Sequence, residues 1–278
     1  MIHVENLSYT YPGANTPTLS GLSFDIHDGE VFGLLGPSGA GKSTTQKILM
    51  GLLTGFEGTA NVLNAPVGTL GRAFYERIGV SFELPTLYLR LTAAENLRLF
   101  ASLYDRPTRD IYETLALVDL AEEADKRVEA FSKGMKMRLN LCRALLHDPE
   151  ILFLDEPTTG QDPARARITR ELILRLKSEG KTIFLTTHNM AEADEICDRV
   201  AFLAGGHIPV SGVPEDLKRQ YGRRELLATT TKGPQTFPMK ELGANPEFLN
   251  LLKSDQIMSL HTQEATLDDV FIKATAHV

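Results

Sequence analysis

A nine-residue segment, GPSGAGKST at residues 36–44, constrains the fold of this chain more than any other part of the sequence. It matches the pattern G-x-x-x-x-G-K-S/T and directly follows the apolar run VFGLL at residues 31–35. Its glycines let consecutive backbone N–H groups turn into the loop, and the helix expected to begin near Lys42 adds the positive end of its dipole. A strand, this loop and a helix in that order predict a site for the phosphates of a nucleotide.

The chemistry of this phosphate loop assigns its residues to a phosphate chain and to Mg²⁺. Backbone N–H groups would surround the phosphates, the Lys42 ammonium would reach the β- and γ-phosphates, and the Ser43 hydroxyl would bind the metal. The alternative, a glycine-rich turn without a ligand, is disfavoured because a strand and a helix flank the loop in the required order. The candidate phosphate-binding residues of the loop are Gly36, Pro37, Ser38, Gly39, Ala40, Gly41, Lys42, Ser43 and Thr44.

Two further segments carry polar side chains at the ends of apolar runs. ILFLDEP ends in Asp155, which could hold Mg²⁺, and Glu156, which could act as general base toward the attacking water. The alternative is a solvated acidic pair before a proline turn, which the phosphate loop disfavours. His188 follows TIFLTT, whose strand is expected beside ILFLD, so its side chain could reach the γ-phosphate. A histidine with an ordinary surface or core role is the alternative.

The remaining patterns predict an α/β fold with a P-loop NTPase core. The runs VFGLL, ILFLD and TIFLTT indicate buried strands of a mainly parallel sheet, and the segments before the phosphate loop indicate an antiparallel β flank. Helical patterns, among them DIYETLALVDLAEEADK, indicate an all-helical insertion, and the polar sequence near the end indicates a small C-terminal appendage. The predicted bounds are 1–82 and 149–212 for the ATP-binding α/β core, 83–148 for the helical subdomain, and 213–278 for the C-terminal accessory region.

Composition and charge narrow the classes of function. The net charge of −7 argues against a nucleic-acid partner, because such proteins usually carry a basic surface. Cys142 and Cys197 lie far apart in helix-like stretches without metal-ligand spacing, which fits a reducing, cytosolic compartment. The N-terminus lacks a signal-peptide pattern, and no apolar run approaches the roughly 20 residues that span a bilayer. Any attachment to a membrane is therefore expected to depend on a partner.

The stretch FSKGMKMRLNLCRALLHDPEILFLDEPTTGQDP, residues 131–163, resembles the ATP-binding-cassette (ABC) family. Its signature residues, Ser132, Lys133 and Gly134, precede the acidic strand and open a helix, whose N-terminus attracts anions. The resemblance implies that this signature faces the γ-phosphate held by a second copy of the chain, so that a homodimer closes around two ATP molecules. The alternative is a plain helix N-cap, which the acidic strand at the family's spacing disfavours.

Other family segments follow in order over residues 1–220. Tyr11 matches the aromatic residue that stacks on adenine, with a packed strand tyrosine as the alternative. TTGQDP matches the segment that crosses the dimer interface, and TTHNMAEADEICDRV matches the segment of the switch histidine, His188. Glu83 stands where the family has glutamine. The resemblance implies that this position contacts Mg²⁺ and the attacking water, and that its loop relays the nucleotide state to a membrane subunit.

With the ending LDDVF, the chain resembles the detached ATPase subunits of multidrug and antibiotic-resistance exporters. The resemblance implies an ATP hydrolase, peripheral on the cytoplasmic face of the cell membrane, that energises export through a separately encoded integral-membrane permease. A soluble ABC-type ATPase acting on ribosomes or DNA is the alternative; a single cassette, an acidic net charge and the lack of a heptad run disfavour it. A P-loop kinase would not need the signature. The predicted catalytic residues are Glu156, His188, Glu83 and Lys42, and the predicted metal ligands are Ser43, Glu83 and Asp155.

Overall fold

The computed structural model describes residues 1–222, 225–254, 256–263 and 265–276. Within these ranges the chain forms two compact units, one of Met1–Ser211 and one that begins at Gly212. The strands of the first unit are β1 (Ile2–Tyr9), β2 (Leu19–Ile26), β3 (Val31–Leu35), β4 (Glu57–Val62), β5 (Ala65–Pro66), β6 (Ile78–Ser81), β7 (Ile151–Asp155), β8 (Thr182–Thr187), β9 (Arg199–Ala204) and β10 (His207–Gly212), which ends at the boundary. Its α-helices are α1 (Lys42–Leu49), α2 (Arg72–Tyr75), α3 (Ala93–Ala101), α4 (Ile111–Ala116), α5 (Lys133–Leu145), α6 (Pro163–Ser178) and α7 (Met190–Ile196).

A six-stranded sheet in the order β10-β9-β3-β8-β7-β6 forms the centre of the first unit. Strand β3 pairs in parallel with β8 and β9, and β7 pairs in parallel with β6 and β8. Leu35 lies opposite Thr187 and Asp155 lies opposite Thr186, so the carboxyl ends of these strands meet at one edge. The mainly parallel sheet predicted from the apolar runs is confirmed, and this edge is where open α/β sheets bind ligands.

An antiparallel sheet in the order β2-β1-β4-β5 is the second layer, as the sequence predicts. The two sheets share one hydrophobic core. Phe24 of β2 stacks on Phe32 of β3 with 5.4 Å between ring centroids, and Phe32 lies 6.3 Å from Phe184 of β8. Stacked and offset ring pairs of this kind add to the apolar burial. The antiparallel flank is thereby anchored on the strand that leads into the phosphate loop.

Helices fill the stretch between β6 and β7, and one of them is shorter than its sequence pattern suggests. Helix α4 ends at Ala116, and Asp119 takes a left-handed conformation with φ 56°. The guanidinium of Arg138, on α5, donates to the backbone carbonyl of Val118 at 2.5 Å and to that of Asp119 at 2.9 Å. A continued helix would use these carbonyls itself, so this tertiary hydrogen bonding replaces the last turns that the apolar periodicity indicates.

Both cysteines are buried free thiols. Cys142 lies within α5, as expected, whereas Cys197 is the residue that follows α7 and not part of a helix. Burial raises the pKa of both thiols, so both stay protonated and unreactive near neutral pH. Across the described ranges, no helix combines the length and apolarity needed to cross a bilayer.

The second unit is a small α/β module. Its elements are α8 (Pro214–Tyr221), β11 (Glu225–Thr230), β12 (Gly233–Pro238), α9 (Pro246–Leu252), β13 (Ile257–Gln263) and α10 (Leu267–Thr275). The strands form an antiparallel sheet in the order β12-β11-β13. Its core is small and is formed by Leu226, Ala228, Phe237, Phe248 and Leu251.

Candidate nucleotide site

The phosphate loop runs from the end of β3 to the start of α1, and its last glycine cannot be replaced without a clash. Gly41 is the N-cap of α1 and has φ 110°, a conformation that side chains disfavour. A Cβ atom there would lie 2.5 Å from Cδ2 of Leu19, on β2, and 3.2 Å from the carbonyl oxygen of Thr18. Glycine is required because the antiparallel flank closes directly on the loop.

The Lys42 ammonium folds back over the phosphate loop. Its Nζ donates to the carbonyl oxygens of Gly36 at 2.8 Å and Pro37 at 3.1 Å, and it lies 3.9 Å from Oε1 of Glu156. Burial lowers the pKa of Lys42, and the negative charges of Glu156, Asp155 and Glu83 oppose this shift. A buried cation at the mouth of a loop of N–H groups is suited to bind an anion.

Side-chain oxygens of the kind that bind Mg²⁺ lie close together beside Ser43, in the first turn of α1. The Ser43 hydroxyl donates to Oδ2 of Asp155 at 3.1 Å, and Thr186 donates to Oδ1 of the same carboxylate. Glu83 lines the same cavity. The described residues contain no preformed group of three His, Cys, Asp or Glu side chains for a metal. The donor set therefore fits an ion that draws most of its ligands from phosphates and water, as Mg²⁺ usually does.

The Glu156 carboxylate is held by several donors and by an unusual backbone. Its φ of 49° is rare outside glycine and is typical of residues fixed at functional sites. Oε1 accepts from the His188 backbone N–H at 3.1 Å and lies 2.8 Å from His188 Nδ1. Oε2 accepts from the hydroxyls of Thr187 at 3.1 Å and Thr159 at 3.3 Å. The carboxylate is 8% exposed and is thus fixed in direction at the edge of the sheet.

His188 follows β8, as the sequence predicts, and its side chain is 58% exposed. It lines the nucleotide cavity while its Nδ1 contacts Glu156. The imidazole therefore reaches the acidic strand end directly, and its remaining ring atoms face the open side of the cavity.

Tyr11 lies beyond the last residue of β1 and is 37% exposed. Its hydroxyl is 3.1 Å from the Thr44 hydroxyl, and its ring meets Tyr9 edge to face, with 5.0 Å between centroids. The ring therefore lies beside the phosphate loop and lines the nucleotide cavity.

These groups surround one cavity of about 330 Å³. Its lining residues are Tyr11, Thr18, Ser38, Gly39, Gly41, Lys42, Ser43, Thr44, Glu83, Asp155, Glu156 and His188. Gly36, Pro37 and Ala40 belong to the loop but do not line the cavity. The fold thus brings together, from distant parts of the sequence, most of the residues predicted to bind the nucleotide.

The signature residues lie elsewhere. Ser132 caps α5, accepting from the Met135 backbone N–H at 3.2 Å, and neither it nor its two neighbours line the cavity. The aliphatic stem of Lys133 crosses Gly160, where an added Cβ would lie 2.9 Å from Lys133 Cδ. A Cβ at Gly134 would lie 3.1 Å from the Gly160 carbonyl oxygen. The signature is therefore packed on the segment that follows Glu156, outside the lining of the chain's own nucleotide cavity.

Sequence reasoning identified Thr44 but missed two other threonines of the site. Thr18 lines the cavity, and Thr187 donates to Glu156. One feature of the sequence does point to Thr187. TIFLTT, the segment that forms β8, ends in two threonines, yet the strand is buried along its whole length. A buried hydroxyl needs a hydrogen-bond partner, and the acidic end of the neighbouring strand supplies one.

Comparison with known proteins agrees with this geometry. Residues 19–159 match the ABC transporter family, and residues 230–264 match the Fluoroquinolone efflux ABC transporter C-terminal domain. The chain belongs to the ABC transporter family. A Fluoroquinolones export ATP-binding protein of Mycobacterium tuberculosis is 49% identical over 99% of this chain and 93% of its own length. The Nod factor export ATP-binding protein I of Rhizobium meliloti is 42% identical over 78% of this chain and 66% of its own.

Solved structures of ABC proteins share the fold. An ATP-binding subunit of an ABC transporter matches with a TM-score of 0.71 and 31% identity, over 80% of this chain and 93% of the other. A dimeric ATP-binding cassette in a post-hydrolysis state, bound to ADP and Pi, matches with a TM-score of 0.70 and 26% identity, over 77% and 98%. This ABC protein is an ATP-binding subunit with ATP hydrolase activity.

Proposed function

We propose that this ABC ATPase energises export through a separately encoded membrane subunit, and that two copies close around ATP to do so. The observation that carries the proposal is the position of the signature. Ser132 and Lys133 are exposed at the N-terminus of α5 and do not line their own chain's cavity, so they are free to meet a nucleotide held by a second copy. The dimeric cassette bound to ADP and Pi supports this arrangement.

Nucleotide binding is assigned to the phosphate loop and to Tyr11. The Lys42 ammonium exchanges the carbonyl oxygens of Gly36 and Pro37 for oxygens of the β- and γ-phosphates, which are stronger acceptors because they are charged. The exposed ring of Tyr11 stacks on adenine. Ser43, Asp155 and Glu83 hold Mg²⁺, which when bound supplies charge neutralisation of the phosphate oxygens.

Hydrolysis is assigned to the Glu156 carboxylate. Water attacks the γ-phosphorus, its proton passes to Glu156, and the bond to the β-phosphate oxygen breaks to release ADP. The four hydrogen-bond donors of Thr187, Thr159 and His188 keep this carboxylate in one orientation. His188 contacts both the carboxylate and the cavity, so it positions the base and meets the γ-phosphate from the same place. Preorganised groups of this kind lower the barrier without moving during the reaction.

An apolar groove suits the membrane subunit. A cavity of about 390 Å³ lies between the α/β core and the helical stretch, with Leu52, Phe82, Phe100 and Leu103 among its lining residues. Beside it in sequence, Tyr88 is 55% and Leu89 is 49% exposed. Tyr88 and Leu89 lie in the segment after Glu83, so a partner helix docked on this segment connects the permease to the metal site. The docking segment is residues 84–97.

The names of the relatives support a proposal for the direction of transport and for the class of cargo. The Mycobacterium tuberculosis protein is a fluoroquinolones exporter by name, and residues 230–264 match the C-terminal domain of a fluoroquinolone efflux protein. We infer a drug-like cargo of this class and a location on the cytoplasmic face of the membrane, reached through the permease.

Cofractionation tests the proposal. The chain is expressed alone or together with the membrane protein encoded beside it, and its share in washed membranes is measured. We expect membrane association only in the co-expressing cells, together with ATP-dependent efflux of a fluorescent fluoroquinolone that the Glu156→Gln variant lacks. Cofractionation with ribosomes instead, independent of the membrane protein, would favour a soluble ABC-type ATPase.

A further inference from the structure

A second carboxylate is buried behind Glu156. Glu192 lies in the first turn of α7 and is 3% exposed, and its backbone N–H donates to Oδ1 of Asn189 at 3.1 Å. A glutamate at this position commonly turns back to the backbone N–H of the N-cap residue. Here the Asn189 backbone N–H donates to the Thr187 hydroxyl instead, at 3.0 Å, and the Glu192 side chain turns into the interior.

The Thr187 hydroxyl links the two carboxylates. Its Oγ1 lies 3.1 Å from Oε2 of Glu156 and 3.4 Å from Oε2 of Glu192. A hydroxyl has one proton to donate and two lone pairs to accept with, and one lone pair is already used by the Asn189 N–H. If both glutamates were ionised, two acceptors would share one proton. If Glu192 is protonated, every one of these contacts has a donor.

The surroundings of Glu192 also favour the neutral acid. Its Oε1 has no hydrogen-bond partner within the described ranges, which is costly for a buried carboxylate and much less so for the carbonyl oxygen of an acid. Burial raises the pKa of Glu192; the Thr158 hydroxyl, the Arg170 charge and the Thr187 hydroxyl oppose this shift, and Glu156 adds to it.

The other charged groups around Glu192 do not offset its burial. Arg170, on α6, is ion-paired with Glu195 at 2.7 Å. The Cys197 thiol, which also feels Glu192, stays neutral because burial raises its pKa. Asp194 and Glu195 also lie on the helix of Glu192 and carry the same sign of charge as an ionised Glu192.

We propose that Glu192 is a neutral acid whose proton bonds Thr187 and thereby commits the Thr187 hydroxyl to Oε2 of Glu156. Glu192 is then a positioning residue for the proposed general base, and the inference rests on that proposed role of Glu156. The chain of donors runs from Glu192 Oε2 to Thr187 Oγ1 to Glu156 Oε2. It leaves Oε1 of Glu156, which lies 3.9 Å from Lys42 Nζ, on the side that faces the phosphates.

The sign of the pH dependence follows from this arrangement. Because the pKa of Glu192 is raised, its proton is present below that value and is lost as the pH increases through it. Ionised Glu192 would compete for the Thr187 proton and release Glu156 from its fixed orientation. The turnover number of ATP hydrolysis should therefore fall on the alkaline side as Glu192 ionises, while the KM for ATP changes little, since Glu192 does not line the cavity.

Two substitutions at position 192 separate the effect of a hydrogen-bond donor toward Thr187 from the effect of a negative charge. Glu192→Gln keeps a neutral donor toward Thr187, and Glu192→Leu removes it at similar volume. The measurement is kcat and KM for Mg-ATP across the pH range in the purified chain, with folding checked by circular dichroism. We expect the pH profile of kcat for Glu192→Gln to lack the decline at alkaline pH that ionisation of Glu192 causes in the wild type. We expect Glu192→Leu to lose about tenfold in kcat relative to Glu192→Gln, with KM nearly constant. Superimposable declines in the wild type and Glu192→Gln would overturn the proposal.

Infrared difference spectroscopy provides a readout that does not need turnover. Wild-type protein with bound ATP should show the C=O stretch of a protonated carboxylic acid near neutral pH, and this band should be missing from Glu192→Gln. Equal bands in the two proteins would contradict a neutral Glu192. The role of Glu156 is tested separately. A Glu156→Gln variant that still hydrolysed ATP would refute the role of Glu156 as general base, while the C=O band of Glu192 would remain.

Discussion

Nδ1 of His188 lies 2.8 Å from Oε1 of Glu156, and the backbone N–H of the same histidine donates to that oxygen at 3.1 Å. One residue thus contacts one carboxylate oxygen through both its main chain and its ring. Because the φ of Glu156 is 49°, the carboxylate depends on such contacts to stay directed at the cavity. The histidine at the end of β8 is therefore as much a support for Glu156 as a group for the phosphate.

Replacing the ring tests this support. In His188→Ala the backbone bond to Glu156 remains and the ring contact is lost, so we expect kcat for ATP hydrolysis to fall by about a hundredfold. The Kd for ATP should change by no more than about threefold, because the phosphate loop is untouched. Steady-state kinetics and fluorescence titration of labelled ATP measure the two quantities. A loss of binding that matches the loss of turnover would assign His188 to ground-state phosphate binding instead.

Glu156→Gln should keep ATP binding and abolish turnover, because an amide cannot accept the proton of the attacking water. The variant should accumulate as a dimer with ATP and Mg²⁺, with each nucleotide between the phosphate loop of one copy and residues 132–134 of the other. Size-exclusion chromatography with light scattering measures the mass with and without ATP. The wild type, which turns over, is the control. An ATP-loaded variant that stays strictly monomeric would contradict the sandwich.

Lys42→Ala should abolish tight ATP binding and, with it, hydrolysis. The Lys42 ammonium is the cation that the phosphate loop folds around, bonded to the carbonyls of Gly36 and Pro37. Lys47→Ala is a matched control, since Lys47 is an exposed lysine of the same helix that does not line the cavity. Calorimetric titration with ATP should find normal affinity in the control. Normal ATP turnover in Lys42→Ala would refute the assignment of the loop.

Glu83→Gln restores the residue that the family usually has. It tests whether the negative charge of the Glu83 carboxylate contributes to Mg²⁺ binding. If the Glu83 carboxylate is a ligand of Mg²⁺, the neutral amide should raise the Mg²⁺ concentration needed for half-maximal ATPase rate and slow turnover, by up to about tenfold for an effect of 1.4 kcal/mol. Glu122→Gln, an exposed acid outside the cavity lining, is the control. An unchanged Mg²⁺ dependence with faster turnover would show that the charge of Glu83 instead repels the γ-phosphate.

A cysteine at Leu87 should crosslink to the membrane subunit. The native thiols, Cys142 and Cys197, are buried, so an engineered cysteine reports on its own position. Leu174→Cys, on α6 and 38% exposed in the native side chain, is a control position outside the docking segment. Short bifunctional crosslinkers in membranes from co-expressing cells provide the measurement. Crosslinks from Met258→Cys in the second unit, with none from Leu87→Cys, would move the docking surface to the accessory region.

The sequence predicts those parts of the site that depend on local order along the chain. The strand, loop and helix around Lys42 and the acidic end of β7 follow from patterns of a few residues, and parallel pairing brings them to one edge. The Glu192–Thr187–Glu156 contacts could not be predicted in this way, because they depend on how a helix turns its first residues toward a neighbouring strand. The early end of α4 was equally hidden, since Arg138, on α5, binds the carbonyls of Val118 and Asp119 just beyond it.

The contact between Leu19 and Gly41 sets an upper limit on the size of the residue at position 19. A Cβ on Gly41 would approach the Leu19 side chain to 2.5 Å, so the same gap leaves no space for a larger side chain approaching from β2. An Ala at position 19 would open a void under the loop, and a Phe would push the loop outward and separate its N–H groups. We therefore expect the affinity for phosphate to depend on the volume of Leu19, an apolar residue that does not line the nucleotide cavity.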